Sequence, residues 1–219
     1  MSARSAVCGM WMLAFVARPE PGLEVGGNAG GGRYKTYGCA ESVPTYYGET
    51  SYAGNVRYRA ESGVTVAVDA SGSNSTVRSG PDLAHDGYAV AGRLGWHFQY
   101  GGGEAGIGWL RREGKTEPLP SATLWLGLPG IHAFGTLMAN RYAVNEGDLT
   151  VGLGHSSRWV NANLGVSAQG LALDLEGKLT RFISPTVSVR YQNDSVWNVA
   201  AGLTFRWDPG RDERQQQRW

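Results

Sequence analysis

The chain has 219 residues, of which 42% are hydrophobic and only 18% charged, with 33 glycines, 8 tryptophans and 10 tyrosines. Soluble domains carry charge on about a quarter of their residues, so this composition points to an all-β protein rich in tight turns and rim aromatics. The formal net charge of +1 excludes the strongly basic surface that nucleic-acid binding draws on, and the apolar runs fall short of the roughly 20 residues a spanning helix needs.

Residues 1–17 read as a signal peptide: Arg4 precedes an apolar run from Ala6 to Ala17, and Arg18-Pro19 follows it. Phe15 is larger than the usual residue three places before such a cut. Cys8 lies in this segment, so its removal leaves Cys39 alone, with no disulfide framework and no CxxC pair. Residues 18–32 are rich in glycine and proline and read as a flexible linker.

From Arg33 onward the pattern becomes that of strands with one apolar and one polar face, in which side chains alternate with period two. A weak segment covers Arg33–Gly38. Tyr52, Gly54, Val56 and Tyr58 then share a face against Asn55, Arg57 and Arg59. After a tight connection at Glu61-Ser62, Val64, Val66 and Val68 alternate with Thr65, Ala67 and Asp69. The polar stretch Ser71 to Asp86 reads as a long exposed loop. Tyr88, Val90, Gly92, Leu94, Trp96, Phe98 and Tyr100 follow on one face, opposite Arg93, His97 and Gln99. Gly101-Gly102 is expected to turn the chain into a strand carrying Ala105, Ile107 and Trp109 against Glu104.

Leu124, Leu126 and Leu128 lead into a turn at Pro129-Gly130, and Ile131 to Arg141 returns. Further strands carry Leu149, Val151 and Leu153, then Val160, Ala162, Leu164 and Val166. Leu171, Leu173, Leu175 and Leu179 oppose Asp174, Glu176, Lys178 and Thr180. Val187, Val189 and Tyr191 oppose Ser188, Arg190 and Gln192, and the last strand carries Trp197 to Trp207. The expectation is an all-β, up-and-down antiparallel transmembrane β-barrel over residues 33–207, of about twelve strands (ten as the alternative), followed by a polar tail at 208–219.

Alternation alone also fits a soluble β-sandwich, whose polar faces meet water. Two features favour the membrane. Long links alternate with short ones over most of the chain, as in barrels with short turns at one end and longer loops at the other. Tyr58, Tyr88, Tyr100, Trp109, Trp197, Phe205 and Trp207 gather towards the ends of the apolar faces, where amphipathic rings favour the membrane interface. Trp96 and Phe98 are expected to sit deeper. Closure is then obligatory, because hydrocarbon offers no partner to an unpaired backbone N–H or C=O.

The final strand carries Gly202, then Phe205 and Trp207 in alternation. This pattern resembles the C-terminal assembly signal of outer-membrane β-barrel proteins of the porin-like kind, although residues 208–219 follow where such chains usually end. The resemblance implies an outer-membrane location, surrounding outer-membrane lipid and recognition by the barrel assembly machinery.

With apolar faces outward, Arg57, Arg59, Asp69, Arg93, Glu104, Asp174, Glu176, Lys178, Arg190 and Arg206 are expected to face the lumen. Both signs are present, so pairing can narrow a barrel of this size. The expected function is a small porin-like channel for polar solutes or a structural barrel with exposed loops, without cofactor or metal.

Two other readings compete. His155 and Ser157 form a His-x-Ser similar to that of outer-membrane acyl hydrolases, in which a His base activates a Ser nucleophile. Here Arg158 stands where those families commonly have Asn, and Gln169 stands at the third polar position. The other reading is a secreted soluble β-sandwich that binds ligands.

Overall fold

The structure is a computed structural model that describes residues 21–37, 44–77, 85–98, 100–112, 115–128, 130–138, 148–167, 170–192 and 196–207. The expected signal peptide, the polar tail, Cys8, Cys39 and Gln169 lie outside the described residues.

Twelve strands follow one another: β1 (Gly22–Tyr37), β2 (Pro44–Arg59), β3 (Val64–Val77), β4 (His85–Phe98), β5 (Gly101–Arg112) and β6 (Lys115–Leu128), then β7 (Ile131–Met138), β8 (Asp148–Ser156), β9 (Val160–Ser167), β10 (Gly170–Gly177), β11 (Ile183–Gln192) and β12 (Val196–Trp207). Each pairs antiparallel with its neighbours in sequence, and β1 pairs with β12, so a single sheet closes on itself. The soluble sandwich is overturned, because it needs two packed sheets with edges and this sheet has none.

The strand count and order agree with the period-two reading, but several boundaries do not. Residues 22–32, expected as linker, form most of β1 and run in register with β12 from Leu23↔Trp207 to Arg33↔Trp197. Glycine hides alternation because it places no side chain on either face. β3 continues to Val77 and β4 begins at His85, so residues 71–77 and 85–86 of the stretch expected as a loop are strand, and residues 78–84 lie outside the described residues. Gly101–Gly103 open β5 instead of turning the chain, and Lys178 lies beyond the end of β10.

Two connections do need glycine. Gly63 closes the β2–β3 turn at φ +87° and Gly130 the β6–β7 turn at φ +96°, a left-handed backbone that glycine adopts without a Cβ clash. Gly63 accepts from His97 N–H at 2.9 Å and donates to Ala60 C=O at 3.0 Å.

The outer face is apolar. Leu124, Leu126, Leu128 and Leu153 are each at least 65% exposed. Leaving side chains of this size in water costs about 1.5–3 kcal/mol apiece relative to burying them, far too much for a continuous belt unless lipid covers it.

Aromatics edge the belt. Tyr58, Trp96, Phe98, Tyr100, Trp159, Phe182, Phe205 and Trp207 stand outward at the end that carries Gly22 and Trp207, and Tyr88, Trp109, Tyr191 and Trp197 towards the other. Trp96 and Phe98 therefore belong to the rim and do not sit deeper, because β4 ends at Phe98. From Tyr88 to Phe98, and again from Trp197 to Trp207, the strand advances about 33 Å, which at a tilt near 40° gives a belt about 25 Å tall, the height of an outer-membrane apolar band.

Candidate functional site in the barrel lumen

Polar side chains alternate with the belt and turn inward. Arg57, Asp69, Arg93 and Glu104, from four successive strands, converge on one stretch of wall. Arg93 makes a two-pronged pair with Asp69, Nε to Oδ2 at 2.6 Å and Nη2 to Oδ1 at 2.7 Å. Its other guanidinium nitrogen stands 3.3 Å from Glu104 Oε2. Arg57 reaches the same oxygen at 3.4 Å from β2, three strands away round the barrel. His97 Nε2 lies 3.1 Å from Glu104 Oε1.

A second cluster joins β1, β10, β11 and β12. Arg206 donates to Glu24 Oε2 at 3.1 Å, to Ser184 Oγ at 2.7 Å and to Glu176 Oε1. Glu176 is fully buried and also accepts from Asn161 Nδ2 at 2.7 Å. Arg190 stands 3.6 Å from Asp174. Arg59 is half-buried near the end of β2. Lys178 is not a strand residue: its Nζ donates to Ser157 C=O at 2.6 Å and ties two turns together.

The remaining wall, β6 to β9, turns mainly uncharged residues inward, Glu117 near the start of β6 being an exception. Thr123 and Thr136 hydroxyls lie 3.2 Å apart, and His132 Nε2 is 3.1 Å from Asn163 Oδ1. Trp125 and Phe134 are buried on this wall. The Trp125 ring packs against His97 with centroids 4.3 Å apart. It reaches β4 across β5 only because Gly102 lies beneath it, where a Cβ would strike the indole.

The same device recurs. A Cβ at Gly95 would come within 2.5 Å of Glu104 Cγ, and one at Gly106 within 2.6 Å of Arg93 Cγ. Inward glycines therefore let long side chains lie across the wall. Glu24, Trp125 and Phe134 escape the sequence reading. The first sits in the glycine-rich stretch, and the other two are apolar residues on the face expected to be polar.

Ser157 and His155 do not assemble a catalytic pair. Ser157 Oγ accepts from Trp159 N–H at 3.3 Å and Val160 N–H at 3.1 Å and donates to Val160 C=O, so it serves the β8–β9 turn. His155 continues the outward series of Leu149, Val151 and Leu153 and is exposed.

This is a closed antiparallel β-barrel with the apolar outer belt of a membrane-spanning protein, and its fold is that of outer-membrane barrels. It is similar to the translocator domain of autotransporter NalP from Neisseria meningitidis, with a TM-score of 0.59 and 12% identity over 87% of this chain and 90% of that one. It is also similar to the KdgM porin, at TM-score 0.50 and 10% identity over 83% and 99% of the two chains. The same porin in complex with disordered oligogalacturonate superposes at TM-score 0.53, again with 10% identity over 83% and 99% of the chains. No family model and no curated protein matches the sequence.

Proposed function

We propose that the chain forms a small porin-like channel of the outer membrane, narrowed by paired charges and passing small polar solutes. The observation that carries this reading is the Glu104 junction, where Arg57, Arg93 and His97 from two other strands meet one carboxylate inside the barrel. A barrel serving only as a scaffold could fill its interior with apolar side chains, which costs less than burying charge.

The interior is suited to water. Side-chain oxygens of Asn28, Asn55, Thr65, Asn161 and Asn198 are buried without a hydrogen-bond partner among the described residues, and buried polar atoms of that kind are satisfied by ordered water. Inward charges of both signs occur together, so discrimination by solute charge is weak and size dominates.

Outer-membrane lipid would surround the belt, and the barrel assembly machinery would recognise β12. There Phe205 and Trp207 point outward, and Gly202 lies where a Cβ would strike the backbone of β1.

Single-channel recording in planar bilayers tests the channel. The native protein is expected to give small, discrete openings, and the double substitution R57S/E104S larger ones. Silence from both proteins, with the barrel shown to be folded, would overturn the reading in favour of a structural barrel.

A further inference from the structure

Two turns at the rim that carries Gly22 and Trp207 share one design. Ser157-Arg158-Trp159-Val160 joins β8 to β9, and Thr180-Arg181-Phe182-Ile183 leads into β11. Each reads hydroxyl, arginine, aromatic, branched aliphatic. In both, the hydroxyl oxygen accepts the N–H groups of the residues two and three places on: Trp159 and Val160 at 3.3 and 3.1 Å, and Phe182 and Ile183 at 3.1 and 3.0 Å. In both, the first N–H donates to the fourth carbonyl, at 2.9 Å for Ser157 and 3.2 Å for Thr180. In both, the guanidinium lies over the following ring, Arg158 at 4.3 Å from the Trp159 centroid and Arg181 at 4.4 Å from that of Phe182.

The turns are also joined. Lys178 N–H, just before the second turn, donates to Trp159 C=O of the first at 2.7 Å, and Arg206 N–H of β12 donates to Phe182 C=O at 2.8 Å and anchors the second. Both arginines and both rings are exposed at the edge of the apolar belt. Among the described residues neither guanidinium has a carboxylate partner. Stacking occupies the flat face of a guanidinium and leaves its N–H edge free, and that edge matches two oxygens of a phosphate.

We infer that this pair of turns is a binding site for the phosphate headgroup of an anionic phospholipid in the leaflet at that rim. The acyl chains would lie on the belt beside Trp159 and Phe182 while Arg158 and Arg181 grip the headgroup. Continuity with a surface that lipid must cover decides for a lipid over a soluble anion. The charge decides for an anionic lipid over a zwitterionic one, whose ammonium group two arginines repel.

Tryptophan quenching tests the site in phosphatidylcholine vesicles that carry a minor fraction of brominated lipid. Brominated phosphatidylglycerol is expected to quench more than the same fraction of brominated phosphatidylcholine. The excess should shrink in R158Q and in R181Q, and vanish in R158Q/R181Q and in W159F. Heat-modifiable migration identifies variants that retain the barrel, and only those are compared.

Equal quenching by the two lipids in the native protein would overturn the inference. So would an excess that survives R158Q/R181Q, or one that inorganic phosphate removes when chloride of equal ionic strength does not. None of these outcomes bears on whether the lumen conducts.

Discussion

Glu104 has Arg57, Arg93 and His97 within 3.4 Å and a side chain only 1% exposed. Exposed ion pairs contribute about 0–1 kcal/mol, whereas stranding a buried charge by removing its partner costs about 3–5 kcal/mol. Glu104→Ala should therefore lower unfolding free energy by about 3 kcal/mol, and R57A/E104A by less than the sum of the single losses. Urea unfolding of the reconstituted barrel measures both. A loss below about 1 kcal/mol, with additive single changes, would place Glu104 in a solvated pore wall. The carboxylate and its arginines were legible from period two alone, since each lies opposite an apolar series. Trp125 was not, because an inward indole beside Leu124 and Leu126 breaks the pattern. Only the glycine at position 102 on the neighbouring strand shows where the ring goes, and that neighbour relation is not written in local sequence.

β1 shows the corresponding limit for a whole element. Six of its first eleven residues are glycine, and glycine in a strand weakens it and leaves no face to read. Pairing on both sides is what makes it a strand: Glu24 stands between Arg57 of β2 and Arg206 of β12. Its small inward residues also make closure possible, since a Cβ at Gly30 would strike the β12 backbone. Deletion of residues 22–32 accordingly removes the strand that seals β2 to β12, and leaves two unpaired edges that hydrocarbon cannot satisfy. The deleted protein should lose the compact, heat-modifiable band on a denaturing gel, whereas removal of a linker would leave that band intact. By contrast, β4 and β12 were readable because, Gly92 aside, aromatic and aliphatic residues fill every second position across the full belt.

Twelve is an even number, so both ends of the barrel, Gly22 and Trp207, emerge at one rim, together with the β2–β3, β4–β5, β6–β7, β8–β9 and β10–β11 turns. The links at residues 38–43, 78–84 and 139–147, the longest in the chain, leave from the opposite rim. Barrels of this class keep short turns inside the cell envelope and longer loops outside. Trypsin can read the orientation, because its sites divide cleanly between the rims: Arg78 and Arg141 lie in the long links, Arg158 and Arg181 in the turns. On intact cells, cleavage is expected after Arg78 or Arg141, with Arg158 and Arg181 cut only once the outer membrane is made permeable. The reverse pattern would turn the barrel over and place the two arginine–aromatic turns in the outer leaflet. The polar and apolar faces would stand unchanged, because a closed sheet distinguishes inside from outside without regard to which end is up.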